Sequence, residues 1–202
     1  MSKGTKGIKM KSDIGPEILD SEPRTPNSEL KMQIAITGRG GQGVLFLTRI
    51  LSECALDLGL GVIASETHGM AVRGGSVIST VKVGDFRGPL IQSGQADVML
   101  VLDEGSMETF SHLLSSAGAL YLNAARSDSY LSIDATALAA EAGSPLVANL
   151  VLLGFCLRHN GLFCGYSLVE PVTQKMSPDR FAEINLKALE LGFAFCDSRG
   201  SV

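Results

Sequence analysis

Residues 38–43 have the composition and spacing of an anion-binding loop. They read Gly38-Arg39-Gly40-Gly41-Gln42-Gly43, with the first, third and sixth positions in GxGxxG spacing. Glycine lets the chain turn tightly and brings backbone N–H groups close to a phosphate, and a helix that follows directs its positive N-terminus to the same place. Arg39 adds a permanent cation. This glycine loop is predicted to bind a phosphate-bearing ligand; the alternative is a tight strand-to-helix turn that binds nothing.

A second unusual segment covers residues 66–76, with the sequence ETHGMAVRGGS. Glu66 stands near the place where a dinucleotide site has the acid that binds ribose. A histidine, an arginine and a Gly-Gly pair have no use in such a site, which counts against plain NAD binding. Arg73 could instead fork onto a phosphate or carboxylate, and His68 could be polarised by Glu66, since histidine is easily tuned near pH 7.

The same segment also has a purely structural interpretation. Gly74-Gly75 could simply begin a strand, with Ser76 as its first residue and Arg73 in an ordinary ion pair. No two histidines have metal-ligand spacing, and there is no Gly-x-Ser-x-Gly elbow, so neither a metal site nor a serine hydrolase is expected.

The glycine loop needs a strand before it and a helix after it, and the flanking sequence predicts both. Residues 32–37 form a short apolar run, and apolar residues over 44–58 recur with the period of a helix. Further strands are predicted at 62–65, 76–83, 97–102 and 119–123, and further helices at 106–114, 136–142 and 149–159. A capping box at Ser167 and Glu170 predicts the start of another helix, and Ser177 is the predicted N-cap, with Pro178 at the first helical position, of a last helix that runs to about 194. This alternation predicts an α/β domain with a mostly parallel central sheet and helices on both faces.

Composition restricts the class of protein further. The chain has 202 residues and a net charge of −4, which suits one domain with a tail and lacks the basic footprint of a nucleic-acid binder. Residues 1–30 combine lysines, acids and prolines without aromatic residues, so we expect a weakly ordered or disordered tail, followed by one domain over 31–202. No apolar run is long enough to span a membrane.

The cysteines and the N-terminal sequence favour the cytoplasm. Cys54, Cys156, Cys164 and Cys196 form no CxxC pair, which argues against a zinc ribbon or an iron–sulfur ferredoxin motif. The first thirty residues lack the apolar core of a secretory signal. We expect a cytoplasmic protein with reduced thiols.

Taken together, the two motifs resemble the gamma-type domain of the 2-oxoacid:ferredoxin oxidoreductases. The resemblance rests on GRGGQGV at 38–44 and ETHGMAVRGGSV at 66–77, and the sequence of the second segment is most similar to the indolepyruvate branch of the family. It continues over about 32–196 through a set of smaller matches: Pro89-Leu90-Ile91, Gly94, Ala96-Asp97, Asn149, Leu153-Gly154, Asn185 and Ala188. The resemblance implies a single Rossmann-like, three-layer α/β domain.

The resemblance also implies a reaction and a division of labour. The family decarboxylates a 2-oxoacid oxidatively with coenzyme A, giving acyl-CoA, carbon dioxide and reduced ferredoxin. Thiamine diphosphate and iron–sulfur clusters are expected only in partner subunits, because this chain has no Gly-Asp-Gly motif and no cysteine array. An aryl pyruvate, a branched-chain 2-oxoacid, pyruvate and 2-oxoglutarate all remain open as substrates, and ferredoxin or flavodoxin as acceptor.

Carried over to this sequence, the resemblance assigns the glycine loop (Gly38, Arg39, Gly40, Gly41, Gln42 and Gly43) to coenzyme A or its phosphates. It places Glu66, His68, Arg73 and Ser76 at the subunit junction near the active site, with no residue firmly catalytic and no metal ligand. The chain alone is expected to be inactive, and a homodimer of the isolated chain remains open. The alternatives are a stand-alone NAD(P)-binding reductase and a non-catalytic docking module.

Overall fold

The computed structural model describes residues 30–68 and 75–196. Within them, one sheet contains six strands: β1 (Met32–Arg39), β2 (Val62–His68), β3 (Ser76–Val83), β4 (Ala96–Val101), β5 (Leu114–Asn123) and β6 (Leu131–Ile133). The helices are α1 (Val44–Asp57), α2 (Met107–Phe110), α3 (Ala135–Ala142), α4 (Ala148–Arg158), α5 (Tyr166–Met176) and α6 (Asp179–Ala194). Short 3₁₀ turns precede α2, follow α2 and precede α4.

The strand order is β2-β3-β1-β4-β5-β6. β1, β4, β5 and β6 pair in parallel, whereas β3 is antiparallel to both of its neighbours, β1 and β2. β3 is therefore the only described strand that runs against the others. The prediction of an α/β domain with a mostly parallel sheet is confirmed.

Residues of the central strands alternate between two hydrophobic clusters, as the two-residue period of a strand requires. Ile34 and Ile36 of β1 join the larger cluster, where α1, α3, α4, α5 and α6 contribute apolar residues. Ala35 joins the smaller one, which is covered by residues around α2 and by Ile91. Helices thus lie on both faces, as predicted, but one face has a much thinner cover.

The segment predicted as one helix over 106–114 is broken. α2 has only four residues, between two 3₁₀ turns, and β5 begins at Leu114. The carbonyl of His112 accepts hydrogen bonds from Gly94 N (2.9 Å) and Ser93 Oγ (3.1 Å), and Leu114 pairs with Ala96 of β4. Sheet pairing here overrides the local preference for a helix. The structure also contains a strand that was not predicted, the three-residue β6 beside β5.

The two predicted N-caps near the C-terminus were wrong. α5 begins before Ser167, with Gly165 as its N-cap and no side-chain capping bond, so Pro171 lies inside the helix. The cap of α6 is Pro178 rather than Ser177. The Ser177 hydroxyl donates to Thr173 O (2.7 Å) and accepts from Asn185 Nδ2 (2.8 Å), so it joins the end of α5 to α6 instead.

The predicted tail over residues 1–30 falls almost entirely outside the described residues and stays a prediction. Among the residues that the structure does describe, no helix is long and apolar enough to cross a membrane.

Burial separates the four cysteines by accessibility. Cys54 and Cys156 are buried, Cys164 is half-buried and Cys196 is exposed. Burial also raises the pKa of the Cys156 thiol, and a hydrogen bond to Cys54 together with burial raises that of Cys164. We expect one thiol of the folded chain, Cys196, to react promptly with an aromatic disulfide reagent at neutral pH, and the other three only after denaturation. A Cys196→Ser variant that kept the prompt phase would contradict this assignment.

Candidate functional site

The glycine loop lies at the carboxyl end of β1 and leads directly into α1. β1 extends to Arg39, two residues beyond the predicted strand, and α1 begins at Val44. Gly41 (φ +96°) and Gly43 (φ +79°) adopt left-handed backbone conformations that favour glycine. Gly43 is the N-cap of α1, and no side chain caps that helix. The loop therefore presents an uncapped helix N-terminus at the edge of the sheet.

Several backbone N–H groups of this turn have no acceptor among the residues that the structure describes. Gly40 N donates to Gly75 O (3.3 Å) and Gln42 N to Arg39 O (3.1 Å). By contrast, the N–H groups of Gly41, Gly43, Val44 and Leu45 donate no hydrogen bond to any residue in the described ranges. Backbone donors without an acceptor in the described ranges, grouped at a helix N-terminus together with the helix dipole, form a site that suits an anion.

Gln42 holds the loop in shape. Its Oε1 accepts from Arg39 N (2.6 Å), and its Nε2 donates to Leu102 O (3.4 Å) at the end of β4. Gly38 leaves room for this arrangement, because a Cβ there would stand 2.8 Å from Gln42 Oε1 and 3.0 Å from Leu102 Cβ. The side chain of Gln42 thus connects the glycine loop to the neighbouring parallel strand.

Two arginines give the loop its positive charge. Arg39 Nε lies 3.0 Å from Asp103 Oδ1, and Asp103 is itself fixed by the backbone N–H and hydroxyl of Ser106, which donate to its carbonyl. Arg49, one turn into α1, is exposed and makes no ion pair with any residue that the structure describes. Both arginines line a cleft of about 470 Å³, together with Gly40, Gly41 and Gly43. We call it the glycine cleft; none of its lining residues carries a carboxylate.

The structure brings part of the second motif beside the first. Ser76 pairs with Arg39 across β3 and β1, and the Gly40–Gly75 hydrogen bond joins the two motifs directly. Glu66 is exposed and pairs with Ser79. Because β3 separates β2 from β1, Glu66 lies two strand spacings, about 10 Å, from β1. That distance disfavours the ribose contact of a standard dinucleotide site.

Two predicted site residues cannot be located by their side chains. The backbone of His68 pairs with Val77 in the sheet, but its side chain and all of Arg73 lie outside the described residues. Their roles, and the pairing of Glu66 with His68, stay predictions.

Asn149, one of the residues that carry the family resemblance, lies beside the glycine loop. It lies in the first turn of α4, is 4% exposed, and donates from Nδ2 to the carbonyl of Gly43 (3.3 Å). A Cβ on Gly43 would collide with this amide, with Asn149 Cγ only 3.0 Å away. A contact between residues so far apart in sequence has no local signal, so only the fold could reveal it.

The fold and the site together define a class of α/β protein with a glycine loop at the carboxyl edge of its sheet, between a central strand and the first helix, in a geometry that suits an anion. Residues 33–195 match the family model described as pyruvate ferredoxin/flavodoxin oxidoreductase, and the chain belongs to that family. It is a gamma-type subunit of a multi-subunit 2-oxoacid oxidoreductase. Its relatives are subunits of such enzymes, and this chain matches the two reported first below over nearly their full length.

Three comparisons illustrate the relationship. The chain is 30% identical to the indolepyruvate oxidoreductase subunit IorB of Archaeoglobus fulgidus, with 81% of this chain and 94% of the relative covered. It resembles the crystal structure of the keto/oxoacid ferredoxin oxidoreductase gamma subunit of Geobacter sulfurreducens, with TM-score 0.67, 27% identity, and coverage of 80% and 96%. The 2-oxoglutarate:ferredoxin oxidoreductase of Magnetococcus marinus, solved with 2-oxoglutarate, coenzyme A and succinyl-CoA bound, shares the fold with TM-score 0.66, 18% identity, and coverage of 81% and 30%.

Proposed function

We propose that this subunit binds the phosphates of coenzyme A through its glycine loop and helps close the active site of a 2-oxoacid:ferredoxin oxidoreductase. The observation that carries the proposal is the uncapped N-terminus of α1, where the N–H groups of Gly41, Gly43, Val44 and Leu45 donate to no described residue and these four residues line a cleft together with Arg39 and Arg49. A diphosphate supplies acceptors for these N–H groups and negative charge for Arg49, which has no ion pair among the described residues. The presence of coenzyme A in the Magnetococcus marinus enzyme supports the choice of ligand.

The reaction proposed for the assembled complex is oxidative decarboxylation. The bond between the carboxylate and the keto carbon of the 2-oxoacid breaks and releases carbon dioxide. The acyl group forms a thioester with the sulfur of coenzyme A, whose thiol proton is released. The electron pair is passed to ferredoxin or flavodoxin, and iron–sulfur clusters held by partner subunits would supply the one-electron chemistry for this transfer.

Thiamine diphosphate and the clusters are assigned to partner subunits. Over residues 30–68 and 75–196, no three His, Cys, Asp or Glu side chains group so that they could hold a metal ion, and the cysteines there are free thiols. These residues therefore do not fit a cluster. The isolated chain is expected to have no activity and to depend on thiamine-binding and iron–sulfur subunits.

The second motif is assigned to the junction with those partners. Ser76 pairs with Arg39, which lines the glycine cleft, and this supports a position near the substrate for the segment that contains Glu66, His68 and Arg73. In this proposal the glycine loop holds the cosubstrate, and the second motif lies between it and the neighbouring subunit.

Arg49→Gln tests the proposed role of the cleft. Arg49 has no ion pair in the described residues, so its loss should leave the fold intact and remove one attraction for phosphate. We expect the KM for coenzyme A to rise about 3- to 10-fold, because an exposed charge contact contributes modestly. The KM for the 2-oxoacid should stay constant. The measurement is coenzyme A-dependent reduction of a viologen dye by the purified complex.

Arg87→Gln is the matched control. Arg87 is also exposed, but it follows the end of β3, at the opposite edge of the sheet from the glycine loop. An unchanged KM for coenzyme A in Arg49→Gln, or an equal rise in Arg87→Gln, would contradict the assignment. Tight NAD(P)H binding by the isolated chain would favour the stand-alone reductase instead.

A further inference from the structure

A second cavity adjoins the glycine cleft and is chemically different from it. Its volume is about 590 Å³, and Gly43 and Phe46 line both spaces. Its other walls come from the turn before α4 and from the first turns of α6, with Leu146, Phe181 and Ile184 among them. We call it the apolar cavity. Because Gly43 and Phe46 border both spaces, a ligand held at the glycine loop can extend into it.

Two buried asparagines give this cavity a defined hydrogen-bonding character. Asn149 and Asn185 both line it and are 4% and 7% exposed. Their amide nitrogens are engaged, with Gly43 O and with Ser177 Oγ. Their Oδ1 atoms accept no hydrogen bond from any described residue, and neither oxygen is fully enclosed. The two Oδ1 atoms are therefore hydrogen-bond acceptors on this cavity, and each amide nitrogen keeps a second N–H besides the engaged one.

We infer that the apolar cavity binds the adenine end of the cosubstrate, an inference that rests on the proposed function. Apart from Arg180, whose guanidinium lies over the Phe181 ring, the lining residues are uncharged, so burying a phosphate here would cost desolvation free energy. A flat purine with an exocyclic amino group supplies an apolar face and an N–H donor for an asparagine oxygen. The pantetheine arm fits less well, because it has no planar ring to lie against the exposed ring of Phe181.

Phe181 provides a platform for a planar ring. Its ring is 46% exposed at the edge of the cavity, and the Arg180 guanidinium lies 4.6 Å from the ring centroid. The exposed apolar side chain of Leu146 stands on the same cavity. Large apolar side chains left in water at the edge of a cavity are typical of a ligand site. The diphosphate then lies at the glycine loop between the base and the reactive thiol.

The test compares two acyl acceptors in the purified complex, coenzyme A and 4′-phosphopantetheine, which lacks the adenosine part. Phe181→Ala should raise the KM for coenzyme A about 3- to 10-fold, the effect of one lost aromatic contact. The KM for 4′-phosphopantetheine should not change. The control is Leu56→Ala, which should alter neither value, because Leu56 is an exposed apolar residue of α1 that lines neither the glycine cleft nor the apolar cavity.

An equal rise for both acceptors would overturn the inference and assign the cavity to the pantetheine arm. No rise for either would also overturn it and leave the cavity without a part of this ligand. The glycine-loop proposal is judged separately by Arg49→Gln, whose effect on coenzyme A does not depend on Phe181. A failure of the cavity assignment can therefore be distinguished from a failure of the proposed function.

Discussion

Gly192→Ala is expected to destabilise the fold by about 2 kcal/mol or more, although alanine is the better helix former. Gly192 lies in α6 where that helix touches α4 through backbone atoms. A Cβ there would collide with the carbonyl oxygen of Val151, with the carbonyl carbon at 2.7 Å and Phe155 N at 2.9 Å. Gly154 of α4 makes the reciprocal approach, since its Cβ would collide with Leu189 O. The two glycines thus let the helices meet without side chains between them.

The sign follows from two opposing contributions. Replacing a helical glycine with alanine gains about 1 kcal/mol from backbone entropy. The added Cβ would clash with backbone atoms rather than with the end of a flexible side chain, so it fits only if α4 and α6 move apart. Such a movement is costly, because α4 is buried over most of its length. Overpacking of this kind costs about 1–3 kcal/mol or more, and the rigidity of the obstacle places it at the upper end. The clash therefore outweighs the gain.

Denaturant unfolding of the isolated chain measures the effect. Gly88→Ala is the matched control, because Gly88 lies in a loop with open space around its Cα and without a left-handed φ, so it should be neutral or slightly stabilising. Gly154→Ala should lower the free energy of unfolding by a similar amount. The double variant should lose less than the sum of the two single losses, because both substitutions disrupt the same contact between α4 and α6. A Gly192→Ala protein as stable as Gly88→Ala would show that the helices are not in backbone contact.

The sequence was sufficient for the elements whose cause is local. The glycine loop and α1 follow from glycine spacing and a 3.6-residue apolar period, and β3 from its β-branched residues. The break over 106–114 was not predictable in this way, because its cause is the capture of the His112 carbonyl by Ser93 and Gly94. The antiparallel direction of β3 is likewise a property of the sheet and not of its residues.

The candidate site shows the same division. Backbone geometry at Gly41 and Gly43 was foreseeable, since spaced glycines are used where left-handed φ angles are required. The contact of Asn149 with Gly43 and the ion pair of Asp103 with Arg39 join separate elements, so no local pattern indicates them. The apolar cavity also comes from two distant segments, the turn before α4 and the start of α6. Its chemistry emerges only when these segments meet.

The second large effect is expected at Gly43, in the glycine loop. Gly43→Ala should raise the KM for coenzyme A at least about 10-fold, because alanine at φ +79° costs about 1–2 kcal/mol and its Cβ displaces Asn149. The loss of the Asn149 hydrogen bond should also lower the unfolding free energy. The complex should keep its KM for the 2-oxoacid. Viologen reduction and denaturant unfolding measure the two effects.

Gly40→Ala decides whether the loop binds a ligand or is only a tight turn. Gly40 has no left-handed φ, and a Cβ there would meet nothing within 4 Å, so the substitution should leave stability unchanged. Gly40 nevertheless lines the glycine cleft, and a methyl group there would occupy space that a phosphate needs. A binding loop therefore predicts unchanged unfolding with a raised KM for coenzyme A, whereas a turn that binds nothing predicts no change in either measurement. A raised KM with unchanged stability would mean that the backbone of Gly40 approaches the ligand closely. Such an approach would explain a glycine at a position where neither φ nor the surrounding protein requires one.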